Sequence, residues 1–187
     1  MTTKVLFVQG GGQDAHDWDA KLARSLEEKL GRDYSVSFPK MPNEADPNYL
    51  AWKRQICDEL EVLGDGTVLV GHSIGASMVI KMLAEGAIAQ KLGGVFLIAA
   101  PFMHEQDGWQ WKEAELPANA ADALPRGTPL YLYHGREDEE VPFSHLALYT
   151  TALPQAIVRA LAGRNHQMNN DLTEVAKDIG KLTNEPS

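Results

Sequence analysis

The sequence holds one cysteine, Cys57, so no internal disulfide can form. It also lacks any excess of positive charge. Lys and Arg number 17 against 26 Asp and Glu, for a net charge of −9, and no basic block stands out. Such a surface repels phosphate backbones, which argues against a nucleic-acid partner. Long apolar runs are missing too. The run nearest the N-terminus, Val5–Val8, is far too short for a signal-peptide core or a membrane span. A cytoplasmic chain with no membrane partner is therefore expected. Internal repeats and low-complexity tracts are absent.

What is present suits a globular fold. A chain of 187 residues, 44% of them hydrophobic, is too apolar for disorder. It can bury roughly 70% of its unfolded surface without a disulfide or metal staple. One domain over residues 1–187 is expected. Six short apolar runs recur: Val5–Val8, Tyr34–Phe38, Thr67–Val70, Gly94–Ala99, Leu130–Tyr133 and Ala156–Leu161. Several are apolar at consecutive positions, as parallel strands covered on both faces are. Between them lie the helical stretches Asp17–Leu30, Asn48–Leu63, Ile74–Ala84, Phe143–Thr151 and Asp171–Leu182. Leu22, Leu26 and Leu30 repeat at four-residue spacing before Gly31, a helix stop. The fold class predicted is α/β: a three-layer sandwich of about six mostly parallel strands, with helices on both faces and right-handed crossovers. Cys57, on the second helix with Ile56 and Leu60, reads as a core thiol rather than a reactive one.

One connection is irregular. Residues 101–129 are too many for a simple strand-to-strand return, and a helix over Trp109–Leu116 and a small flap are expected there.

The strongest local signal is Gly71-His72-Ser73-Ile74-Gly75, between the third strand and the third helix. A serine on so sharp a turn is lifted clear of the sheet, which is the arrangement of a nucleophile elbow. The glycines leave room where a Cβ would press on a neighbouring strand or helix. Roughly 0.05 such pentapeptides are expected by chance in this composition. The N–H of Ile74, at a helix N-terminus, is placed to donate to an oxyanion.

A serine hydroxyl needs a base. Of the six histidines, His166 alone sits on a polar loop beyond the C-terminal end of the last strand, the edge where open parallel sheets build sites. His72 is expected to point away from Ser73, and His134 to pack. Asp138 is the candidate acid, three residues after Gly135 and three before Val141-Pro142. Glu137, Glu139 and Glu140 read as a solvated acidic turn.

These residues resemble the α/β-hydrolase superfamily, which orders its triad nucleophile, acid, histidine. In that family the acid commonly stands in a Gly-x-x-Asp-x-x-Val-Pro turn, and Gly135, Asp138, Val141 and Pro142 match it. The resemblance covers nearly the whole chain and implies that the two usual N-terminal strands are absent. The small size is also similar to that of lidless YdeN-type serine hydrolases. A His-Gly pair often follows the family's corresponding first strand. Here Gln9 replaces the histidine, and Gly11 and Gly12 are both candidates for the second oxyanion donor. The resemblance implies a Ser73–His166–Asp138 hydrolase that cleaves a small ester through an acyl-enzyme and needs no cofactor. Phe102, Met103, Trp109, Trp111 and Phe143 are the candidate walls for a modest apolar acyl group of a small-molecule substrate, and a place in the core is the alternative for each aromatic.

Three rivals are weaker. Gly10-x-Gly12-x-x-Ala15 resembles a dinucleotide fingerprint, but the second strand runs into Pro39 and Pro42 where an acid for a ribose hydroxyl is needed. A non-catalytic interaction protein on a hydrolase scaffold would normally have lost a triad member, and all three are present. Asp14, His16, Asp17 and Asp19 could be read as a metal cluster. Capping of the first helix by Asp14 or Asp17 explains them better.

Overall fold

The computed structural model describes residues 2–103 and 109–182. Its centre is a six-stranded, all-parallel sheet made of β1 Thr3–Val8, β2 Tyr34–Ser37, β3 Val68–His72, β4 Gly94–Ile98, β5 Leu130–Gly135 and β6 Ile157–Leu161. The strand order is β2-β1-β3-β4-β5-β6. The helices are α1 Ala15–Leu30, α2 Tyr49–Leu63, α3 Ser73–Ala84, α4 Ala120–Ala123, α5 Ser144–Ala152 and α6 Thr173–Leu182.

The alternation of side chains along β1 explains the layers. Val5 and Phe7 face α1 and α6, where they meet Leu22, Leu26, Val175 and Ile179. Leu6 and Val8 face the opposite layer, with Trp52, Ile56 and Leu60 of α2 and Met78 and Val79 of α3. The strands β3, β4 and β5 are buried throughout, whereas the edge strands β2 and β6 are partly exposed. That is why the central runs carry no polar alternation. Among the described residues, no helix is long and apolar enough to cross a membrane.

Local chemistry sets the element ends. Asn48 caps α2 by accepting the Ala51 N–H at 3.0 Å. The expected caps of α1 are corrected. Asp14 stands before the helix at φ 59° and makes no side-chain cap, while Asp17 lies inside the first turn. The His16 N–H is instead taken by the carboxylate of Glu44 at 2.7 Å, a partner 28 residues away.

The expected helix over Trp109–Leu116 is also corrected. Only a 3₁₀ turn, Lys112–Ala114, forms there, and Glu115 is already extended. Pro117 holds the residue before it out of the helical region, which stops any extension. Of the expected flap in 101–129, residues 104–108 lie outside the described residues. Phe102, Trp111, Leu116 and Leu124 of the remainder pack on the α3 face of the core.

Candidate active site

The chain starts inside the sheet, runs to β2 at one edge and then turns back through β3 to β6. The direction reverses between β1 and β3, and the crevice above that point is where open α/β sheets bind ligands. The loop after β1, residues 9–14, and the turn after β3 meet there.

The turn after β3 is as sharp as its sequence implies. Ser73 opens α3 with φ 50°, a left-handed angle unusual for a residue with a Cβ. A Cβ on Gly75 would strike the carbonyl oxygen of Gln9, and one on Gly71 would lie 2.8 Å from the Cα of Ala76. Both glycines are therefore demanded by backbone packing.

Ser73, His166 and Asp138 meet although β3, β5 and β6 deliver them separately. The Ser73 hydroxyl lies 3.1 Å from His166 Nε2, and His166 Nδ1 lies 2.9 Å from Asp138 Oδ2. His166 and Asp138 have side chains only 3% and 0% exposed, so little water competes for these bonds. The other Asp138 oxygen accepts the backbone N–H groups of Glu140 and Val141 at 3.0 and 2.8 Å. Burial alone would raise the Asp138 carboxyl. Hydrogen bonds from His134 and His166 outweigh it and hold the group well below the usual carboxylate range. His134 does more than pack: its Nε2 lies 3.2 Å from Asp138 Oδ2 and 3.0 Å from the Val141 carbonyl. Gly135 brings this turn against the loop that carries His166, since a Cβ there would strike the Arg164 carbonyl. Arg164 braces that loop through Asp171 and Glu174 at 2.9 and 2.8 Å. Glu137, Glu139 and Glu140 stay exposed.

The two candidate oxyanion glycines separate. The Gly12 N–H donates to the Glu44 carbonyl at 2.7 Å, so it is already spent, and Gly12 is corrected as a donor. Gly11 lies against the elbow, with a Cβ there falling 3.2 Å from Ile74 Cβ. Gly11 therefore remains the candidate for the second donor, packed against the first residue after Ser73. Glu44 shapes this loop from both ends, because its carboxylate also accepts from the Gln9 side chain at 2.7 Å.

The pocket walls are corrected. A cavity of about 490 Å³ opens at Ser73 and His166, and none of Phe102, Met103, Trp109, Trp111 and Phe143 lines it. Phe102 packs edge-on against Tyr149, Trp109 against His145 and Phe143 against His134. Met103 is buried, and Trp111 packs on the core. Their apolar faces are thus used in holding the 101–129 connection and α5 to the sheet. The cavity wall is instead polar, with Gln13, Lys21, Asn165 and Asn170, and it includes the ring of Trp18, 54% exposed. Nothing in the sequence pattern marked Trp18, because a surface tryptophan on α1 reads like any other. The metal cluster considered earlier is dispersed. Asp19 turns inward to His72, His16 stacks on Phe38, and Asp17 points to solvent.

Residues 5–178 match the sequence model of the alpha/beta hydrolase family. Solved structures of similar fold include the ydeN gene product of B. subtilis, with TM-score 0.77 and 16% identity over 98% of this chain and 100% of that one. SOBER1 of Arabidopsis thaliana follows at TM-score 0.72 and 15% identity, over 98% and 100%. Est1E of Butyrivibrio proteoclasticus, bound to ferulic acid, gives 0.66 and 14%, over 97% and 88%. At such identities the likeness speaks for the fold alone. No curated protein matches the sequence.

Proposed function

This chain belongs to the alpha/beta hydrolase family, and we propose that within it the protein is a serine hydrolase that cleaves small esters through an acyl-enzyme. The observation that carries the reading is the unbroken relay from Asp138 through His166 to the Ser73 hydroxyl, at 2.9 and 3.1 Å. As Ser73 Oγ attacks an ester carbonyl, His166 Nε2 takes its proton. Asp138 fixes the tautomer that leaves Nε2 able to accept, and it stabilises the imidazolium that forms. The carbonyl oxygen gains charge as its double bond opens, and the N–H groups of Ile74 and Gly11 stabilise it. The intermediate collapses, and His166 returns the proton to the departing alcohol. Water then repeats the sequence on the acyl-serine and regenerates the hydroxyl.

The polar cavity beside the relay favours an ester with a hydrogen-bonding portion over a long-chain lipid. Trp18 offers that portion an apolar face, and Gln13 and Asn165 offer it donors and acceptors.

A fluorophosphonate probe tests the assignment. Mass analysis should find one adduct, on Ser73, and none in Ser73→Ala. An unlabelled wild type, or a label placed elsewhere, would overturn it. A panel of p-nitrophenyl esters beside peptide substrates then tests the substrate class, with short esters expected to turn over fastest.

A further inference from the structure

The reaction just described uses no part of His72. Yet this imidazole, 1% exposed, stands in the chain directly before Ser73. Its Nδ1 lies 2.8 Å from Asp19 Oδ2, and its Nε2 lies 3.1 Å from the backbone carbonyl oxygen of His166. A carbonyl oxygen only accepts. Asp19 also behaves as an acceptor at both oxygens: Oδ2 takes the Gly10 N–H at 2.7 Å and Oδ1 the Gln167 amide at 3.2 Å. With Asp19 ionised, as these donors favour, both His72 nitrogens donate, and an imidazole with two N–H groups is a cation.

We propose that His72 is a resident imidazolium which, paired with Asp19, acts as a positioning residue for the base-bearing loop and the oxyanion turn. What it positions rests on the serine-hydrolase reading. Its charge does not.

The surroundings favour the charge. Burial alone would strip the proton from His72. The Asp19 carboxylate more than offsets this and, with the His166 carbonyl and the more distant Asp138, holds the group above its ordinary value. Asp19 is held below its own ordinary value, because the His72 charge and the donors around it outweigh burial. The groups facing the ring are Asp19 from α1, the His166 ring at 4.9 Å from the loop after β6, and Asp138 from the turn after β5.

The pair ties together three segments that the reaction needs in register. Gly10, which donates to Asp19, directly precedes Gly11. Gln167, which also donates to Asp19, directly follows His166. The His72 ring itself leads into the elbow. His166 is thereby held from two sides, at its ring by Asp138 and at its carbonyl by His72. Without the His72 bond the loop is free to settle away from Ser73, and a displacement near 1 Å costs on the order of a hundredfold in rate.

Nitrogen NMR of the ¹⁵N-labelled wild type at pH 7 reads the charge directly and needs no turnover. Both ring nitrogens of His72 should be protonated, and Asp19→Asn should leave one. A single ring proton in the wild type would overturn the proposal. In ester hydrolysis Asp19→Asn should lower kcat about ten- to a hundredfold with KM little changed. Without the Asp19 charge His72 sheds its proton at lower pH, so the alkaline limb of kcat should move toward acid. If Asp19→Asn does not fold, His72→Gln supplies the kinetic arm, since it carries no titratable ring. Wild-type kcat and pH profile in a variant that merely melts earlier would also overturn the positioning role. Absence of hydrolysis in the wild type would sink the hydrolase reading instead, while the ring protons still decide the charge of His72.

Discussion

A Cβ on Gly75 would occupy the place of the Gln9 carbonyl oxygen. The contact is backbone against backbone, so no side-chain rotation relieves it. Gly75→Ala should therefore cost about 3 kcal/mol, the upper end of overpacking penalties. In a chain of this size that lowers Tm by roughly 6–12 °C. Urea melts monitored by circular dichroism would measure it. A shift within error would mean that the elbow and the loop after β1 are less closely joined than described.

Ser73, His166 and Asp138 should fail as a unit. Ser73→Ala and His166→Ala are each expected to lose on the order of 10⁵–10⁶ in kcat, with the double variant losing little more. Asp138→Asn should lose on the order of 10⁴, because Asn can present its amide to Nδ1 and favour the wrong tautomer. Losses that simply multiplied in the double variant would speak against a shared proton path. Near-normal turnover in Asp138→Asn would move the acid to another residue of the turn.

Trp18 and Phe102 should separate binding from folding. Trp18 is more than half exposed at the cavity rim, so Trp18→Ala is expected to raise KM while stability stays within about 0.5 kcal/mol. Phe102 packs on Tyr149, with ring centroids 4.9 Å apart, so Phe102→Ala should lower Tm and leave KM near the wild-type value. The reverse pattern would return the substrate to the apolar side of the site.

Asp178 predicts a loss of stability in acid. Burial would raise its carboxyl, but Arg159 at 2.9 Å, Lys181 at 2.6 Å and the Tyr133 hydroxyl at 2.9 Å outweigh burial and bring it down to about 2. A group depressed in the folded state stabilises the fold above its unfolded value, about 3.9. That contribution falls away as pH drops from about 4 through about 2. Melts stepped across this window should show a shallower fall in Asp178→Asn than in the wild type. Parallel curves would show that α6 is not held to β5 and β6 by this charge.

The strands and long helices were legible because burial leaves a local mark. Phe96 and Leu97 are apolar side by side because β4 is covered on both faces, and Trp52, Ile56 and Leu60 repeat because α2 has one. The elbow was legible because backbone crowding admits only glycine at 71 and 75. Three other features depend on partners far away in the chain, and no local pattern announces them. Gly12 loses its N–H to Glu44, α1 borrows a cap from the same residue, and His72 finds Asp19 53 positions away. The place of the aromatics in the 101–129 connection is not legible, because bulk alone does not tell a pocket wall from a packing face.

The φ of 50° at Ser73 has a cost that the rest of the molecule must carry. Glycine would take that angle at ease, so Ser73→Gly is expected to melt later than Ser73→Ala by up to about 1 kcal/mol. Ser73 is thus a strained position which, in the proposed reaction, chemistry forbids from relaxing. Selection for heat resistance alone would be drawn to substitute it early, and the first gain in endurance would come with the loss of reactivity.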